Sequence, residues 1–160
     1  MEPTSKLISI FAECEDDPSH FIRNIVNESC DKFIATYRKL ENGAKCGLVE
    51  SKIGMAKKLF WKLLESIILE EKQRISHKGK IIDCDWLANE RHRLGITLNL
   101  LLKKEVIIKS IAACSIEIIL WSFQSVKQFK TVVDALEIDS YQFYKGTVIF
   151  FGVPGVTALQ

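Results

Sequence analysis

The stretch EVIIKSIAACSIEIILWSF, residues 105–123, decides how the rest of the chain is read. It is apolar nearly all round, without the one-sided stripe of a surface helix, which marks a helix enclosed by other helices at the centre of a domain. Its β-branched residues (Val106, Ile107, Ile108, Ile111, Ile116, Ile118, Ile119) also suit a strand. Length favours the helix, because strands seldom exceed about ten residues. The run is long enough to suggest a membrane span, but Lys109 and Glu117 lie inside it, and ionised groups are costly in lipid. The reading is a buried core helix.

Composition agrees. Of 160 residues 48% are apolar and 26% charged, with 8 Gly and 3 Pro. That excludes a disordered chain, a linker or a collagen-like repeat. So few turn-formers argue against a sandwich or barrel. The 22 basic and 20 acidic residues leave a net charge of +2, which gives no footprint for nucleic acid. The five cysteines (Cys14, Cys30, Cys46, Cys84, Cys114) are odd in number and contain no CxxC pair. They fit reduced thiols in the cytosol or nucleus better than a disulfide scaffold or zinc site. The N-terminus lacks the basic-then-apolar pattern of a signal peptide.

Around the central helix the periodicity gives further helices. Leu7, Ile10, Phe11 and Cys14 recur at helical spacing over Lys6–Cys14, with Thr4 or Ser5 as N-cap. Asp17-Pro18 breaks this segment, and Pro18-Ser19 opens a second helix. Its stripe is Ile22, Ile25, Val26, Phe33, Tyr37 and Leu40, and Asn42-Gly43 stops it. A third helix spans about Val49 to Arg74, with Ile53, Ala56, Phe60, Leu63, Leu64 and Ile67 on one face. Residues 76–95 are polar and aperiodic and read as an inserted loop, with a short helix at Trp86–Arg93. Thr97–Lys103 makes one or two turns. Phe129, Val132, Val133, Leu136 and Ile138 form another amphipathic helix, and Asp139-Ser140 caps a segment from Tyr141 to about Val148. Residues 149–160 read as an irregular apolar tail. The fold class is all-α.

Catalytic patterns are absent from the sequence. It has no GxGxxG, P-loop or GxSxG. His20, His77 and His92 lack partners at metal-sharing spacing, so neither metal nor cofactor is implied. Cys114, on the apolar helix, reads as a small hydrophobe. Lys57, Lys58 and Lys62 read as a solvated face, and Phe60 beside them has core spacing. What remains is an interaction module, helices stacked round one central helix as in a cyclin-like box.

Four stretches, in order, resemble the A-box of the retinoblastoma (pocket protein) family. LISIFAEC at 7–14 with Asp17-Pro18 resembles its opening helix and turn. LFWKLLES at 59–66 is similar to its L-Y-Y-(R/K)-V-(L/M)-E-S run, and SIAACSIEII at 110–119 to its S-L-(L/M)-A-C-x-(L/A)-E-(V/L)-V. Phe143-Tyr144-Lys145 matches its F-Y-K. The resemblance leans toward the retinoblastoma-like relatives. It implies a cyclin-like box over 5–148 that packs on a second box B. Together the two would hold the transactivation segment of E2-promoter-binding transcription factors and repress cell-cycle genes in the nucleus. Chromatin-modifying corepressors would be recruited by the full-length protein, without an enzyme activity, a membrane or direct nucleic-acid contact.

Carried over residue by residue, the clamp residues are Arg74, which ends an E-x-x-R after the long helix, then Glu71 before it and Lys145 of F-Y-K. The departures are also specific. Gly146-Thr147-Val148 replaces the family's V-I-E, and Leu100 stands where a clamp lysine is implied. These 160 residues contain no box B, and no Ser-Pro or Thr-Pro is present in them. The expectation is therefore a box truncated at its C-terminus, with intron-derived residues near Ser76 and after Lys145, which cDNA sequencing would test. Two other classes fit the residues alone: another cyclin-box protein acting as a kinase or general-transcription adaptor, and a small helical enzyme.

Overall fold

A computed structural model describes residues 2–40, 46–77, 95–123, 129–139 and 141–143. Among these there is no strand, and the fold is all-α. The helices are α1 (Ser5–Ala12), α2 (Ser19–Leu40), α3 (Cys46–His77), α4 (residues 95–102), α5 (Glu105–Ser122) and α6 (Phe129–Ala135), and residues 141–143 form a further helical turn. No described helix is long and apolar enough to cross a membrane.

The run that decided the reading is α5. It packs on α3, α2 and α6, while α2 also meets α3 and α6. Ile107, Ile108, Ile111, Ala112, Ala113, Ile116 and Leu120 are buried along it. Ala112 and Ala113 are small, which lets neighbouring helices approach closely. The two buried serines stay satisfied within the helix, because Ser110 donates to the Val106 carbonyl (2.7 Å) and Ser115 to that of Ile111 (2.8 Å). Enclosure is incomplete, however. Ile118 is 44% and Trp121 78% exposed, so the all-round apolar pattern overstates how much of the C-terminal half is covered.

The other stripes settle as their spacing predicts. Ile22, Ile25, Val26, Phe33 and Tyr37 of α2 are buried, as are Ile53, Ala56, Phe60, Leu64 and Ile67 of α3, with Leu63 half-buried. Burial pushes the Cys30 thiol up to about 11, and Cys114 likewise, so both behave as small apolar groups at neutral pH. Phe60 and Trp61 are both buried and meet edge to face at 5.2 Å, so neither offers a stacking platform.

The caps explain the boundaries. Thr4 rather than Ser5 caps α1: its hydroxyl oxygen accepts from Leu7 N–H (3.3 Å) and donates to Glu65 on α3. The Asp17 carboxylate accepts from Ser19 N–H (2.9 Å) at the start of α2, which holds its carboxyl below the usual range. Asp139 makes the same bond to Gln142 N–H (3.4 Å) before the last turn. After α6, Ile138 N–H reaches the Val133 carbonyl (3.1 Å) and Glu137 N–H that of Asp134 (3.2 Å). This is a Schellman ending with Glu137, at φ 55°, in the left-handed position that glycine usually fills.

Helix α3 continues through His77 and α4 already runs at Gly95, so the ends of the stretch read as an insertion are helical. Residues 78–94, including the short helix expected at Trp86–Arg93, lie outside the described residues, as do the Asn42-Gly43 stop, residues 144–148 with Lys145, the tail at 149–160, and the side chains of Leu40 and Phe129.

Candidate partner-binding site

The last turns of α3 carry two of the three residues singled out by resemblance. They lie one turn apart on the same helical face, as their i, i+3 spacing requires. The Arg74 guanidinium donates from Nη2 to Glu71 Oε1 at 2.6 Å. Their surroundings differ: the Glu71 side chain is 14% exposed and that of Arg74 56%. Glu71 is sheltered because α4 folds over it. Leu98, Leu101 and Leu102 of α4 meet Leu64 and Ile68 of α3 and Ile107 of α5 around a cavity of about 10 Å³, with Glu71 at its edge. The carboxylate is thus fixed by apolar packing on one side and by a guanidinium on the other.

Two further contacts tie α4 to the end of α1, and a third ties that end to α3. Gly95 lies so near the end of α1 that a Cβ there would meet the Glu13 carbonyl oxygen at 3.1 Å, so a side chain would need the backbone to give way. Lys103, just after α4, pairs with Asp16 (2.7 Å), and Lys72 of α3 pairs with Glu13 (3.1 Å). The acidic turn after α1 is therefore pinned from both sides by lysines. Leu100 and Ile96, 64% and 38% exposed, look outward from α4. At Leu100 the implied lysine is replaced by an exposed apolar side chain.

Chemically, this corner presents a partly paired guanidinium on α3, and the neighbouring α4 carries outward apolar side chains. An arginine fork with donors to spare can take a carboxylate in two parallel hydrogen bonds. The structure brings Glu71 and Arg74 together and leaves Lys145 outside the described residues. Sequence reading missed the role of Leu98, Leu101 and Leu102, whose i, i+3, i+4 spacing was the available signal. Gly95 carried no signal, since only the fold places it against Glu13. Among the described residues no group of three His, Cys, Asp or Glu could hold a metal ion.

Comparison with known proteins bears on the whole chain. Residues 1–150 match the family described as the retinoblastoma-associated protein A domain. The chain is similar to retinoblastoma-like protein 1 of Mus musculus, 25% identical over 146 residues, which is 89% of this chain and 12% of that protein. It is also similar to retinoblastoma-like protein 2 of Rattus norvegicus, 25% identical over 150 residues, 92% of this chain and 12% of the relative. The human retinoblastoma-like protein 1 is 23% identical over 146 residues. The chain thus spans about an eighth of the length of these relatives.

Proposed function

The chain belongs to the retinoblastoma-associated A-domain family, and from that premise we propose that it serves as a non-enzymatic pocket-protein module in transcriptional control of the cell cycle. In this reading residues 5–148 are the A-box, 76–95 an insertion in it and 149–160 a tail. The box acts in the nucleus with a box B and helps bind the transactivation segment of E2-promoter-binding transcription factors. Chromatin-modifying corepressors join through the full-length protein.

The observation that carries the reading is the Glu71–Arg74 pair, held at 2.6 Å on the edge of an apolar corner. A transactivation segment combines acidic and apolar side chains, so it needs a cation to meet its carboxylates and an apolar surface to anchor against. Arg74 supplies the first, and Leu100 and Ile96 lie on the neighbouring helix for the second. Glu71 has a positioning role: by accepting from Nη2 it restricts the guanidinium to a few orientations. Lys145 is the second cation of the clamp.

The test is fluorescence anisotropy of a labelled transactivation peptide titrated with the 160-residue chain, alone and mixed with a relative's box B. Arg74→Glu and Lys145→Glu should each weaken binding about tenfold, the loss expected when a charge-assisted contact becomes a repulsive one. Tight wild-type binding that neither reversal weakens would remove the site assignment.

A further inference from the structure

The C-terminal half of α5 stands apart from the corner just described. Ile107 sits under α4 beside Glu71, whereas Trp121 is fourteen residues further on, about 21 Å away at a helical rise of 1.5 Å per residue. On that half Cys114, Glu117, Ile118 and Trp121 follow at i, i+3, i+4, i+7 and so share one face. Trp121 is 78% and Ile118 44% exposed, and Cys114 and Glu117 are half-covered. Tryptophan is among the side chains most often found at the energetic centre of an interface, and here it stands open on a helix whose opposite face is buried.

What the face would take follows from Glu117. Its Oε2 is shielded from solvent and has no hydrogen-bond partner among the described residues. Glu117 as a whole is only half-covered, so a cation can approach the carboxylate from its open side and offset the cost of the oxygen left without a donor. Burial raises the Glu117 carboxyl above its ordinary range, in keeping with a missing partner. Two lysines along this part of the molecule are engaged elsewhere: Lys109 pairs with Glu105 at 2.6 Å, and the Lys52 ammonium lies over the Phe123 ring at 5.2 Å from its centroid.

We propose that Cys114, Glu117, Ile118 and Trp121 form a docking face for a protein segment that presents a lysine or arginine among apolar side chains, the cation reaching Glu117 and the apolar residues covering Trp121 and Ile118. A second copy of this chain is a poor occupant, because a two-fold pairing on this face brings like charges at Glu117 together, and like charges oppose association.

The probe is an eighteen-residue amphipathic helical peptide with leucines on one face and a single central arginine; a sister peptide carries glutamate there. Both are titrated by anisotropy against the 160-residue chain. The arginine peptide should bind at least tenfold tighter than the glutamate peptide, and Glu117→Gln should shrink that preference to about twofold or less. Trp121→Ala should weaken the arginine peptide about tenfold, with far-ultraviolet circular dichroism unchanged. Equal binding of the two peptides, or a preference that survives Glu117→Gln, overturns the proposal. So does a dimer in analytical ultracentrifugation that Trp121→Ala dissolves, since the face then takes a second copy.

Discussion

Leu64→Ala tests the packing that places Glu71. Leu64 is 1% exposed and lies two turns before Glu71, on the wall of the cavity shared with Ile68, Leu98, Leu101, Leu102 and Ile107. The change removes three carbon atoms, worth about 2.4 kcal/mol of transfer free energy at about 0.8 kcal/mol per methylene. The void left behind adds to this, and buried leucine-to-alanine changes cost about 2–5 kcal/mol in total. Because a gap already exists there, the new space joins it and the neighbours have less to close onto. The expected loss is about 3–4 kcal/mol, a large share of the roughly 5–15 kcal/mol that holds a domain folded. Urea unfolding followed by circular dichroism at 222 nm measures it. With a slope of about 2 kcal/mol per molar, the midpoint should fall by about 1.5–2 M. Leu63→Ala, at the half-buried neighbour, should cost clearly less. Ile107→Val, on the facing wall, should cost about 0.5–1.5 kcal/mol and keeps the test readable if Leu64→Ala fails to fold. A Leu64→Ala loss below about 1 kcal/mol, or one equal to that of Leu63→Ala, would refute the shared-cavity reasoning.

Other perturbations follow from single residues. Glu137→Gly should hold or raise the urea midpoint and Glu137→Ala should lower it, because only glycine relaxes a left-handed C-cap; a Lys32→Ala control separates the loss of the 2.9 Å ion pair that Glu137 makes with α2. Glu117 has a folded pKa raised by burial, so its contribution to stability is full below the unfolded carboxylate value of about 4.3 and is lost as pH rises through the folded value. Glu117→Gln should therefore gain on wild type in urea midpoint as pH rises toward neutral, and parallel curves would contradict this. The Cys30 thiol, raised to about 11, should resist iodoacetamide near pH 8 in the folded chain and react on unfolding, as peptide mass mapping can show. Lys72→Ala and Lys103→Ala break exposed ion pairs and should each cost less than about 1 kcal/mol, with the effect fading at high salt.

Much of the architecture was legible because it rests on local periodicity. The stripes of α2 and α3 fell on the residues their spacing marks, and Asp17-Pro18 separated α1 from α2 through backbone restrictions that need no tertiary context. The boundaries were less legible. Helix α3 extends past Arg74 to His77, and α1 stops at Ala12 rather than Cys14. Helix ends depend on whether the last polar groups find partners, and a periodic pattern does not report that. The candidate site divides in the same way. Glu71 and Arg74 could be named from an ordered series of motifs, and their i, i+3 spacing already placed them on one face. That Glu71 would be sheltered and Arg74 exposed depended on where α4 lies, and α4 is positioned by the packing of Leu98, Leu101 and Leu102, by Gly95 against the Glu13 carbonyl and by Lys103 reaching across to Asp16.

Residues 105–123 show the division most clearly. The residues alone make this run a helix, put it in the core, and arrange an all-α domain round it. The cause is local: apolar residues on every side, a length beyond that of strands, and two charges that rule out lipid. Which face is covered came from the packing of helices distant in sequence. Ile107, Ile108 and Ile111 lie beneath neighbouring helices, whereas Ile118 and Trp121, equally apolar, stand in the open. Hydropathy is a property of each side chain, but burial depends on which face of the helix its neighbours cover, and those neighbours are distant in sequence.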